Sequence, residues 1–194
     1  MELIKELPAL GRDLGPGLIL IGLTSLAAIL VGCLFEEWET LPWMATATVS
    51  LCGIGLLLRF LPKTSKVPRT STSIAATALV WVIVGLCGSL PFLFTGMPFI
   101  DAAFESMSAW TGTGFSIAED IEAWPKTLLF WRSFMQWVGG LGIVAFTLTV
   151  ATRSGLVTRG LYNSESGSQA FMPSVISTAF QMWKIYAVLT ILAV

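Results

Sequence analysis

The sequence predicts an all-α membrane protein: two N-terminal transmembrane helices, one repeat of helix, pore helix, filter and helix, then the first helix of a second repeat. Three observations carry this. Only 12% of the residues are charged and 55% are hydrophobic, where a soluble domain carries about 25% charged residues. Apolar runs of about 20 residues, the length a helix needs to cross the hydrocarbon core, recur along the chain. Between two of them lies the stretch 102–116, AAFESMSAWTGTGFS, too short to cross as a helix and ending in alternating Thr and Gly.

Composition narrows the function further. The 194-residue chain has a mean hydropathy of +0.79, no histidine and a net charge of −1. Nucleic-acid binding is therefore not expected, and the commonest catalytic base and metal ligand is missing. Cys33, Cys52 and Cys87 sit in three separate apolar runs with no CxxC spacing, so they read as packing residues and not as zinc ligands or a disulfide framework. Eight Trp residues suit a protein with two membrane–water interfaces.

The elements follow in order. Residues 1–16, with Glu2, Lys5, Glu6, Arg12 and Asp13, read as an amphipathic segment at the membrane surface. The first spanning run is 17–35. Leu30-Val31-Gly32-Cys33 within it is spelled like a lipoprotein cleavage box. The residues before it are not net basic, though, and a cleaved leader leaves the four later apolar runs unexplained. Glu36-Glu37-Trp38-Glu39 forms an acidic turn, and 41–61 is the second spanning run, which completes an N-terminal two-helix segment, 1–62.

The pore repeat occupies 63–152. Its first helix starts near Ser73, a plausible N-cap, and extends to about Thr95. The pore loop follows over 97–116, then the acids Glu119, Asp120 and Glu122, then Trp124-Pro125 as a helix start. The repeat's second helix runs from Lys126 to about Thr152. A polar, Ser/Gly-rich cytoplasmic linker covers 153–172, and 173–194 begins the second repeat.

Charge fixes the orientation. Loops retained in the cytoplasm are enriched in Lys and Arg. Arg59, Lys63, Lys66, Arg69, Arg153 and Arg159 fall on one side if the pore loop is re-entrant. The N-terminus is then cytoplasmic, and both acidic turns and the filter mouth are extracellular.

The pore loop has a physical logic of its own. A helix from about Ile100 to Trp110 is roughly 16 Å long, half of a hydrocarbon core of about 30 Å. Non-helical backbone at that depth is tolerated only where protein buries it or it lines a water-filled path. Thr111-Gly112-Thr113-Gly114 supplies such backbone: glycine permits the dihedrals that turn successive carbonyls to one side. The negative end of the helix dipole points at the same place. Carbonyl oxygens replacing a hydration shell are how potassium filters select. The plainer reading is a turn between two helices. A filter needs about four such segments in a ring, so further copies of the chain or further repeats must complete it.

At these residues the sequence resembles the Trk/Ktr/HKT superfamily of potassium transporters, most closely membrane subunits of the TrkH/KtrB type. FIDAAFESMSAWTGTGFS is similar to that family's first pore helix and filter, and LLFWRSFMQWVGGLGIVAFTL to its following helix. Asn163-Ser164-Glu165, Pro173, Thr178-Ala179 and Trp183-Lys184-Ile185-Tyr186 are similar to the start of its second repeat. The resemblance implies four repeats around one path for K+, in some members Na+, with no organic cofactor in this chain. Thr111, Gly112, Thr113 and Gly114 would form one quarter of the filter and hold K+. It also implies membrane lipid as surroundings and a cytoplasmic nucleotide-binding regulatory ring of the TrkA/KtrA type as partner. Ser174 and Phe180 stand where family members usually carry basic residues, which bears on that cytoplasmic surface.

Other residues carry smaller expectations. An ionisable residue at membrane depth is a functional candidate, and Glu105 on the pore helix is expected to pair with Arg132 as a brace behind the filter. Glu119, Asp120 and Glu122 are either an outer-mouth cation concentrator or a solvated turn. Gly139, Gly140 and Gly142 are either a hinge or a close-packing face. Gly140 to Ala145 matches a dinucleotide fingerprint only by spelling, since no strand precedes it. No acid/base pair accompanies a nucleophile, so an enzyme is not expected. The rival to conduction is a non-conducting membrane scaffold or regulatory subunit that retains the pore-loop fold.

Overall fold

The structure, a computed structural model, describes residues 2–61, 70–153 and 175–193. Within them the helices are α1 (Glu2–Thr24), α2 (Leu26–Leu34), α3 (Leu41–Arg59), α4 (Thr70–Ser89), α5 (Phe99–Trp110), α6 (Lys126–Arg153) and α7 (Val175–Ala193). A 3₁₀ turn, Leu90–Thr95, extends α4. The described residues contain no strand, and three stretches are long and apolar enough to cross a membrane: Leu14–Leu34, Leu41–Arg59 and Ala75–Thr95. The all-helical membrane fold read from the sequence is the observed one. The basic loop over 62–69, most of the linker, and Asn163, Ser164, Glu165, Pro173 and Ser174 lie outside the described residues.

The chain divides into two compact units, Met1–Trp137 and Val138–Val194. In the first, α1 packs along α3, and α4 packs against α5. Lipid is as apolar as leucine, so close packing rather than water exclusion must hold such helices together. Small residues provide it. A Cβ added at Gly15 would lie 2.6 Å from the Gly55 carbonyl oxygen, and one at Gly55 would lie 2.7 Å from that of Gly15. The two backbones touch there. Leu20, Leu30, Leu57 and Phe60 are left on the outside, 62–79% exposed, as lipid-facing side chains are.

Two boundaries differ from the sequence reading. Residues 2–16 are not a separate surface segment but the first turns of α1. Gly15-Pro16-Gly17 would stop a helix in isolation, but the contact with α3 carries it through, helped by the Arg12 Nη1 bond to the Leu61 carbonyl (3.1 Å). Ser73 is not the N-cap of α4, which begins at Thr70. Ser25, between α1 and α2, donates to the Gly22 carbonyl (2.6 Å) and meets Thr48 Oγ1 (2.5 Å), the back-bonding that bends helices.

The second unit holds the distal half of α6 and α7. Gly140, Leu141, Met182, Ile185, Tyr186 and Leu189 line an apolar cavity of about 250 Å³ within it. A Cβ at Gly140 would be 3.6 Å from Tyr186 Oη, ordinary contact, so Gly140 lies on a packing face.

Candidate functional site

The pore-loop helix α5 starts after Pro98, whose carbonyl accepts the N–H groups of Asp101 and Ala102 at 3.0 Å. Its 12 residues make about 18 Å of helix. Ala102, Glu105, Ser106, Ala109 and Trp110 fall on one helical face and are buried, while Phe99, Ile100 and Phe104 are exposed. The buried face meets α4 where α4 has no side chain: a Cβ at Gly88 would lie 2.6 Å from Trp110 Nε1 and 2.8 Å from Ser106 Oγ, and one at Gly85 would run into the Met107 thioether. Trp131 Nε1 donates to the Gly88 carbonyl (3.1 Å) and its ring meets that of Trp110 edge-on at 6.1 Å. The rear of the pore helix is thereby fixed by aromatic packing.

Helix α5 ends at Trp110, and the backbone then turns on itself. The amides of Thr111, Gly112 and Thr113 bond back to the carbonyls of Met107, Ala109 and Ser108 at 2.9–3.0 Å, and that of Gly114 to Ser108 at 3.3 Å. Gly112 and Gly114 have φ of +70° and +78°, the left-handed region, which costs a residue with a Cβ about 1–2 kcal/mol. Among the described residues the carbonyls of Thr111, Gly112 and Thr113 accept no hydrogen bond. Thr111 Oγ1 lies 2.8 Å from Thr113 Oγ1. Gly112, Thr113 and Gly114 are exposed.

The carbonyl of Gly114 behaves differently. Arg132, on α6, directs Nη2 to the carbonyls of Gly114 (3.2 Å) and Phe115 (3.1 Å) and Nε to Glu105 Oε2 (2.9 Å). Glu105 is fully buried. Its other oxygen accepts the Ser116 hydroxyl and the Ile117 amide (2.8 Å for the amide). Phe115 also accepts from Ser108 Oγ at 2.6 Å. The structure thus brings Glu105 and Arg132 together and attaches both to the segment that follows the glycines. Arg132 is 13% exposed, so the guanidinium faces mainly protein.

Glu119, Asp120 and Glu122 are not brought to this cluster. All three are exposed, and Asp120 Oδ1 accepts the Ala123 amide (3.2 Å), a local turn bond.

One acid that the sequence reading left as a turn residue has a defined role here. Glu37 reaches the first turn of α6: Oε1 accepts the Lys126 amide (2.8 Å), and Oε2 accepts the Thr127 amide (2.8 Å) and hydroxyl (2.6 Å). Burial pushes the Glu37 carboxyl up, but these bonds and the Lys126 charge outweigh it and hold its pKa below the ordinary value. The signal for it was indirect. The residue before Lys126 is Pro125, which has no side-chain acceptor to offer the helix end.

The chain has relatives among known proteins. Residues 43–194 match the family TrkH, described as cation transport protein. The chain is 36% identical over 98% of its length to an uncharacterised cation transporter of Methanocaldococcus jannaschii, covering 40% of that protein. It is 34% identical over 93% of its length to the Trk system potassium uptake protein TrkH of Halomonas elongata, covering 39% of it. The crystal structure of the potassium transporter TrkH from Vibrio parahaemolyticus superposes with a TM-score of 0.76 at 29% identity, over 95% of this chain and 37% of that one. The chain spans about two fifths of the length of these relatives.

Proposed function

The chain belongs to the TrkH family of cation transport proteins, and from that premise we propose that it takes up potassium across the cell membrane as part of a Trk/Ktr-type membrane subunit. It is a multi-pass membrane protein. In this reading Thr111, Gly112, Thr113 and Gly114 form one quarter of a carbonyl-lined filter. Residues 63–152 are the first pore repeat, preceded by the two-helix segment 1–62 and followed by the linker 153–172 and the second-repeat helix from 173. K+ is the transported substrate, with Na+ as the competing ion. Further repeats or copies complete the ring.

The observation that carries this is the state of the filter carbonyls. Those of Thr111, Gly112 and Thr113 bond to no protein donor among the described residues while their amides are used up by the end of α5. Backbone polar groups left open at membrane depth need water or an ion. The positive φ at Gly112 and Gly114 allows the carbonyls to be turned away from the helix. Arg132 and Glu105 hold the end of the loop so that spacing between carbonyls does not relax around a smaller ion. Conduction then needs no covalent chemistry, only dehydration and coordination.

The orientation, with a cytoplasmic N-terminus and an extracellular filter mouth, follows from the Lys/Arg bias. On it, Glu119, Asp120 and Glu122 lie outside and can concentrate cations. The cytoplasmic side would meet a nucleotide-binding regulatory subunit.

Rubidium uptake into liposomes holding the purified protein tests the reading, with Gly114→Ser beside it. Uptake is expected, and the substitution is expected to change its rate or its discrimination against sodium. Folded, inserted protein with no flux above that of protein-free liposomes would favour the non-conducting scaffold, and flux that Gly114→Ser leaves untouched would place the ion path away from Thr111 to Gly114.

A further inference from the structure

We propose that Glu37 is a positioning residue for the filter. By capping α6 it sets the depth at which Arg132 meets the Gly114 and Phe115 carbonyls. The inference rests on the reading of Thr111 to Gly114 as a filter, and it gives the N-terminal two-helix segment a part in ion selection.

The connection is built at both ends. The first amides of a helix have no partner within it, and Pro125, whose carbonyl takes the Leu128 and Leu129 amides (3.0 and 3.1 Å), has no side-chain acceptor for those of Lys126 and Thr127. Glu37 takes two of those amides and the Thr127 hydroxyl with its two oxygens, across 89 and 90 residues of sequence. A carboxylate at that end also meets the positive pole of the helix. Glu37 is itself held. The preceding Glu36 adopts φ +58°, a conformation uncommon for a residue with a side chain. The Glu37 amide bonds to the Gly32 carbonyl (2.9 Å), and its own carbonyl takes the Thr40 amide (3.1 Å) and hydroxyl (2.8 Å).

Around this the fit is close. Thr127 is fully buried, and a Cβ at Gly32 would lie 2.8 Å from its hydroxyl. Lys126 Nζ sits 4.1 Å above the Phe35 ring. From Thr127 to Arg132 is about 7.5 Å along the helix, less than one and a half turns. A helix transmits an axial shift at its end over that distance with little loss. Movement of α6 therefore becomes movement of the guanidinium that fixes Gly114.

The test is the sodium-to-rubidium flux ratio of the whole protein in liposomes, at matched amounts of inserted protein. Glu37→Gln keeps the size but loses one charged acceptor, and should raise the ratio about three- to tenfold. Glu37→Asp should recover part of the loss. In an Arg132→Lys background, Glu37→Gln should add less than a twofold change, because the route through Arg132 is already cut. Thr127→Val, which removes one of the three bonds, serves if Glu37→Gln inserts poorly, and should move the ratio the same way. An unchanged ratio in these variants, with Gly114→Ser still altering it, overturns the proposal and leaves the filter reading standing. Full additivity with Arg132→Lys also overturns it. If Gly114→Ser fails to move the ratio, the filter reading falls and this inference with it.

Discussion

Arg132 Nε lies 2.9 Å from Glu105 Oε2, and the same guanidinium reaches the carbonyls of Gly114 and Phe115 at 3.2 and 3.1 Å. The pair is therefore more than a neutralised charge at membrane depth. Glu105 orients the guanidinium from the pore helix, and the guanidinium orients the last carbonyls of the loop. A buried ion pair adds little net stability over an apolar one, but breaking it by removing one partner costs about 3–5 kcal/mol. Position, not energy, is what this pair contributes.

Single substitutions at the pair should separate those two effects. Glu105→Gln and Arg132→Gln should each lower inserted protein and cut rubidium flux about tenfold or more. Arg132→Lys keeps the charge but lacks the planar fork that serves several acceptors at once, so it should spare expression and lose discrimination. The charge swap Glu105→Arg with Arg132→Glu should restore protein level but not selectivity, since a carboxylate at 132 has no donor for the Gly114 carbonyl. Full recovery of selectivity by the swap would show that the carbonyl bonds are idle.

At Gly112 the backbone conformation, not space, should decide tolerance. A Cβ there meets nothing within 4 Å, and φ is +70°. Asn adopts the left-handed region several-fold more readily than most residues, and β-branched residues almost never do. Flux should accordingly rank Gly112→Asn above Gly112→Ala, and both above Gly112→Val, although Asn is larger than Ala. A ranking by size, with Ala best, would mean that an unseen neighbour crowds the site.

Behind the pore helix the order of two glycine substitutions can be stated. Gly88→Ala drives a methyl into the Trp110 ring nitrogen and Ser106 Oγ, and the ring is held by its edge contact with Trp131. Overpacking of this kind typically costs about 1–3 kcal/mol. Gly85→Ala meets only the Met107 side chain, which can rotate away. Thermal unfolding in detergent should show a clear fall for Gly88→Ala and a smaller one for Gly85→Ala. Equal falls would mean that Met107 is as constrained as the tryptophan.

Much of this was legible in the sequence because the membrane imposes simple lengths. Apolar runs gave the spans, and a half-length helix before Thr111-Gly112-Thr113-Gly114 gave the loop. Two ionisable residues in apolar surroundings, Glu105 and Arg132, had few other partners to choose from. What the sequence hid was long-range or cooperative. Nothing local tells which of Glu36, Glu37 and Glu39 turns inward, since that depends on the left-handed turn at Glu36 and on a helix end 89 residues away. Nor does local propensity carry α1 through Gly15-Pro16-Gly17, which a backbone contact with Gly55 does. The Arg132 bond to the Gly114 carbonyl was missed for a related reason: spacing can pair two charges but cannot show what the remaining donors reach.

Acid should release α6 from Glu37. Bonding to Thr127 and Lys126 holds the folded pKa of Glu37 below its ordinary value, near 4.3 in an unfolded chain. A group depressed on folding contributes stability that is complete above the unfolded pKa and lost as pH falls through the folded one. A cap of this sort is worth about 1–2 kcal/mol, or about 2–4 °C in Tm per kcal/mol at this chain length. The Tm difference between the natural protein and Glu37→Gln should thus be constant from pH 7 to about 5 and shrink below about 4. Other carboxyls, Glu36 and Glu39 included, are present in both proteins and cancel in the difference. A gap that stays open at pH 3 would mean that a protonated Glu37 still caps the helix better than glutamine, and that shape rather than charge holds α6 in place.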